Sequence, residues 1–93
     1  MRLELSRRPQ ADLDDIRDYG AERFGPEQAI VYLDGVEQVF RRVLASPEIG
    51  PPFGDRGTRS YPVGEHRVYY EQEGGQIVVL RVLHKRMDVV RHL

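Results

Sequence analysis

Gly25-Pro26 limits this chain's fold more than any other feature, because it divides two stretches of helical periodicity with no room for a linker. Glycine suits a helix stop and proline suits the first helical position after it. Upstream, Pro9 predicts a helix start, and Leu13, Ile16, Gly20 and Phe24 recur as one stripe. Downstream, Ala29, Leu33, Val36, Phe40 and Val43 form a second stripe, edged by Tyr32 and Leu44, that breaks at Ser46-Pro47. Two helices joined so tightly must fold back as an antiparallel hairpin. Gly20 inside its stripe costs about 1 kcal/mol relative to alanine, a choice that close approach of the second helix would explain. Asp12, Asp14 and Asp15 fall early in the first helix, where its dipole favours anions. With Asp18 they read as a solvated face.

The rest of the chain reads as strands. Residues 2–6 alternate polar and apolar. Residues 46–57 hold three prolines and three glycines and predict a crossing loop. Strands are expected over 58–63, where Pro62 favours an edge, over 66–72, and over 76–83. Gly74-Gly75 marks a hairpin between the last two. The 76–83 segment is apolar on both faces at first, as a central strand would be. The tail from His84 is polar, then weakly helical. The order is β-α-α-β-β-β, an α+β fold in which a helical hairpin covers a small, mostly antiparallel sheet. At 93 residues there is room for one domain, spanning 1–93.

Composition excludes several classes of function. No apolar run approaches the length of a membrane span, and the charged opening does not read as a signal peptide. The absence of cysteine removes disulfide and thiolate chemistry. A cytoplasmic protein without membrane contact is expected. Residues 1–48 hold seven arginines and ten carboxylates, a net of −3, whereas residues 49–93 carry a net of +2. Overall the net charge is −1, without the basic excess that direct nucleic-acid binding usually needs. His84, Asp88 and His92 have i, i+4, i+8 spacing, but two histidines and one carboxylate make a weak metal set. Neither metal nor cofactor is expected.

Three motifs in order cover nearly the whole chain: LELSRRPQADLDDIRDYGAERFG, LASPEIGPPFGDRGTRSYPVGEHRVYYE and IVVLRVLHKRMD. Together they resemble the ParE branch of the RelE/ParE toxin superfamily. The resemblance implies the toxin half of a type II toxin–antitoxin pair, neutralised by a ParD-like antitoxin. It also implies that DNA gyrase is the target, captured as its cleavage intermediate. RelE-type relatives instead cut messenger RNA on the ribosome, and an eroded, non-toxic interaction module is a further alternative.

Candidate residues follow from these readings. A RelE-type ribonuclease would need acid–base and phosphorane-stabilising groups, for which Arg67, His84 and Arg86 are the candidates. The ParE reading needs no catalytic residue. It assigns target contact to Arg59 and Arg67 and to a C-terminal polar patch of Arg81, His84, Lys85, Arg86 and Asp88. The competing structural account of that patch is a local Arg86–Asp88 pair. Antitoxin contact is expected at Tyr19, Ile30 and Val31, which lie off the core stripes, and at Tyr69. Alternation puts Tyr69 and Tyr70 on opposite faces of their strand, so one should be core and the other on an open face.

Overall fold

In the computed structural model, which describes residues 1–93, strand β1 (Arg2–Leu5) leads directly into helix α1 (Arg7–Phe24). The helix begins two residues before Pro9, which is buried as its third residue. The first turn has unpaired N–H groups in any helix, so proline costs no hydrogen bond there either. The consequence is that Asp12, Asp14 and Asp15 sit beyond the first turn, where the dipole effect has largely faded. Gly25, with φ at 96°, ends α1 and also opens α2 (Pro26–Ala45). Its N–H donates to the Ala21 carbonyl, and its own carbonyl accepts from the Ala29 N–H. A β-carbon at Gly20 would lie 3.4 Å from that of Ala29, so small residues on both helices set the hairpin's closeness. Phe24, expected in the core stripe, is 65% exposed. It is the last residue of α1, next to the Gly25 turn.

Strands β2 (Arg59–Val63), β3 (His66–Glu73) and β4 (Gln76–His84) complete a four-stranded sheet ordered β1-β4-β3-β2. β4 is central, parallel to β1 and antiparallel to β3, which is antiparallel to β2. A short helix α3 (Val89–His92) closes the chain. Val39 and Val43 of α2 pack on Val68, Tyr70, Ile77 and Val82, with Leu13 and Ile16 of α1 partly buried beside them. Each fully buried side chain of this size contributes roughly 1.5–3 kcal/mol.

Tyr70 also fixes the 46–57 loop. Its hydroxyl donates to the Pro47 carbonyl at 2.7 Å and accepts the Gly50 N–H at 3.0 Å. Gly50 must be glycine, because a β-carbon would sit 2.6 Å from the Ser60 carbonyl oxygen and 2.7 Å from the Tyr70 hydroxyl. Tyr69, on the other face, does not lie open as expected. The loop folds back, Phe53 N–H donating to the Thr58 carbonyl, and sets the Phe53 ring against Tyr69, which is only 4% exposed.

The free edge of β4 has its own solution. β1 pairs only as far as Val79, and a bulge follows as the β3 register passes from Arg81 to Val79. Beyond β1 the Val82 N–H has no strand partner and donates instead to Asp12 Oδ2 at 3.0 Å. Arg81 completes the cap with a bidentate pair to the same carboxylate, at 2.8 and 2.7 Å. Arg81 Nη1 and Arg8 Nη2 each donate to the His92 carbonyl at 3.0 Å, so the same hub holds the tail.

Candidate functional site

A cleft of about 800 Å³ opens where the helical hairpin meets the end of the sheet. It exists because Gly20 and Ala29 supply no bulk at the mouth of the hairpin. Tyr19 and Phe24 of α1 and Tyr32 of α2 line it, with His66 and His84 from adjacent strands. Asp15, Glu65 and Arg86 bring charge to it.

Tyr32 ties the hairpin to the β2–β3 turn. Its hydroxyl accepts the Glu65 N–H at 2.9 Å, lies 3.1 Å from the Val63 carbonyl and 2.6 Å from His66 Nδ1. One arrangement satisfies all these groups: the hydroxyl donates to Val63, and a neutral His66 donates from Nδ1. Gly64, with φ at 55°, lets the turn pass under the ring, since a β-carbon would stand 2.6 Å from it. Burial is the main cause raising the Tyr32 pKa above the usual phenol value.

His66 and His84 are directly paired across β3 and β4, with ring centroids 5.3 Å apart and edge to face. Burial, and then the neighbouring His84, lower the His66 pKa. His84 Nδ1 accepts the Arg86 N–H at 3.1 Å, so the neutral His84 ring carries its proton on Nε2. Glu65 is held below the usual carboxylate range first by its contact with Lys85, at 2.7 Å.

The candidate target residues are dispersed. Only His84 and Arg86 line the cleft. Arg81 is in the cap with Asp12, both side chains about nine-tenths covered. Arg59 donates to the Gly50 carbonyl, and Arg67 to the Ser60 hydroxyl. Asp88 accepts the Val90 N–H and pairs with Arg91 at 3.7 Å, in place of the expected Arg86 pair. His84 ends a strand while His92 is in α3, so the spacing with Asp88 does not align them on one helix. The ribonuclease set does not converge either. Arg67 follows His66 in a strand, and neighbours point to opposite faces. His66 and His84 face the helices, so Arg67 lies across the sheet from His84.

Of the residues expected to contact an antitoxin, Tyr19 lines the cleft, Ile30 and Val31 are exposed on α2 outside it, and Tyr69 is covered by Phe53. Phe24, Tyr32 and His66 enter the site without having been singled out for it. The register that sets His66 opposite His84 depends on the bulge, which no local pattern marks.

Three comparisons agree. The family model for the ParE toxin of type II toxin–antitoxin systems matches residues 3–89. Toxin ParE1 of Mycobacterium tuberculosis is 40% identical over 95 residues, covering 99% of this chain and 97% of that protein. Toxin ParE1 of Caulobacter vibrioides is 37% identical, covering 96% and 94%. Among solved structures, a chain of the chromosomal ParDE system of P. aeruginosa superimposes with a TM-score of 0.81 at 25% identity, covering 90% of this chain and 95% of that one. A chain of the toxin–antitoxin complex RelBE2 of M. tuberculosis shares the fold at a TM-score of 0.63 and 24% identity.

Proposed function

The chain belongs to the ParE toxin family of type II toxin–antitoxin systems, and from that premise we propose that it acts by binding, as a cytoplasmic poison of DNA gyrase silenced by a ParD-like antitoxin. The observation that carries the antitoxin half is the aromatic cleft. Tyr19 and Phe24 are mostly exposed at it, and Ile30 and Val31 lie exposed on α2. So much apolar surface on one small domain fits a partner that covers it. An antitoxin segment that is disordered alone and folds on contact would lie along the hairpin and seat an apolar side chain in the cleft. The gyrase half draws on the family resemblance. Its contact surface is the exposed turn after β4, where Lys85 and Arg86 stand beside His84.

The dispersal of Arg67, His84 and Arg86 supports binding over RNA cleavage. In a translating extract the chain is expected to leave messenger RNA intact. In cells, expression alone should arrest growth, and co-expression of the antitoxin should restore it. Cleavage of ribosome-bound message, or normal growth with folded protein present, would contradict the reading.

A further inference from the structure

The two histidines of the cleft lie outside the apolar core cluster. They are directly cross-strand on β3 and β4, ring to ring at 5.3 Å, in a cleft that Tyr19, Phe24 and Tyr32 also line. His84 Nδ1 accepts the Arg86 N–H, which requires a neutral ring, whereas His66 donates from Nδ1 to the Tyr32 hydroxyl and is held beside the His84 ring by that bond. A proton on His84 Nδ1 removes that acceptor and frees the turn. A proton on His66 Nε2 puts a charge beside the His84 ring. We propose that the His66–His84 pair makes antitoxin binding proton-sensitive, with the complex holding when both rings are neutral and loosening when either is protonated. This rests on the docking of an apolar antitoxin side chain in the cleft.

The direction follows from desolvation. An apolar side chain seated over the rings removes water from them, and loss of water disfavours the charged form. Binding therefore lowers the affinity of the pair for protons, and by reciprocity protons lower the affinity for the antitoxin. Charges of both signs surround the pair. Glu65 in the β2–β3 turn favours a proton on His66, as does Asp12 at longer range; Asp15 on α1 and Arg86 after β4 line the cleft with opposite charges, and Lys85 stands at Glu65. Glu65 is already held by Lys85, and Tyr32 faces His66 as a neutral hydroxyl. Burial already places His66 below the usual histidine pKa. Further burial on docking pushes the same way.

The test measures the affinity of the purified ParD-like antitoxin of the same operon for the full chain between pH 5.5 and 7.5. It compares the wild type with His66→Gln, His84→Gln and the double variant. The wild-type complex should weaken by about ten-fold on acidification, the size expected for linkage to about one proton. The double variant should be nearly flat across the range. Calorimetry of the wild type at pH 6 in buffers of different ionisation enthalpy should show net proton release on binding, a readout that survives if a variant fails to fold. A wild-type affinity that does not change, that rises on acidification, or that keeps its pH dependence in the folded double variant would overturn the proposal. The docking reading fails separately. If aspartate at Tyr19 and Phe24 leaves affinity at pH 7.5 unchanged, the cleft is not the antitoxin site.

Discussion

Arg81→Ala is expected to destabilise the fold by about 3 kcal/mol, in the range found when one partner of a buried ion pair is removed. For a domain of this size that is a fall of roughly 12–24 °C in melting temperature. The guanidinium is the bidentate partner of Asp12 and also holds the His92 carbonyl. Removing it leaves a largely covered carboxylate with only the Val82 N–H. Asp12→Ala should cost a similar amount, because it strands Arg81 and reopens the edge of β4 where β1 ends. The two changes act on one unit, so Asp12→Ala with Arg81→Ala should cost clearly less than their sum, with a coupling of about 1–3 kcal/mol. Urea unfolding of the four proteins measures this. Simple additivity would show that the edge cap is not a unit.

Changing Tyr19 and Phe24 together to aspartate is expected to do the reverse, leaving the fold alone and weakening the proposed contact with the antitoxin. Both side chains are at least 60% exposed. Stability should therefore move by no more than about 0.5 kcal/mol, as for surface positions generally. Arg23, which sits 5.9 Å over the Tyr19 ring, adds little at an exposed site. For the antitoxin the change is large. It takes away two aromatic walls and sets two carboxylates beside Asp15 at a surface that the proposed docking would desolvate. Aromatic anchors at the centre of an interface commonly contribute 2 kcal/mol or more each, so affinity should fall by at least about 100-fold. Calorimetric titration with the antitoxin reads this directly, and an affinity within a few-fold of wild type would move the interface off the cleft.

The architecture was largely legible because its signals are local. Gly25-Pro26, the two apolar stripes and Gly74-Gly75 each act over a few residues, and together they order the elements. The family also shows in motifs spread along the whole chain. What was not legible depends on residues far apart in sequence. Nothing near Asp12 marks it as the acceptor for Val82, 70 residues away. Arg81 accordingly reads as a surface cation when it is a capping group. Tyr69 reads as an open-face anchor because its cover, Phe53, comes from a loop without periodicity. Phe24 fits a helical stripe, yet a stripe does not reveal that its last residue stays exposed at the helix end. The exposure of Ile30 and Val31 is legible, since residues off a clear apolar stripe are exposed by helix geometry alone.

The most direct test of this chain as a gyrase poison is a DNA cleavage and supercoiling assay with purified gyrase, relaxed plasmid and ATP, run with the purified chain and then with antitoxin added. The account predicts linear, cleaved DNA accumulating with added chain, with supercoiling lost and both effects reversed by antitoxin. Supercoiling that proceeds normally at saturating chain, with no cleaved DNA, would contradict it.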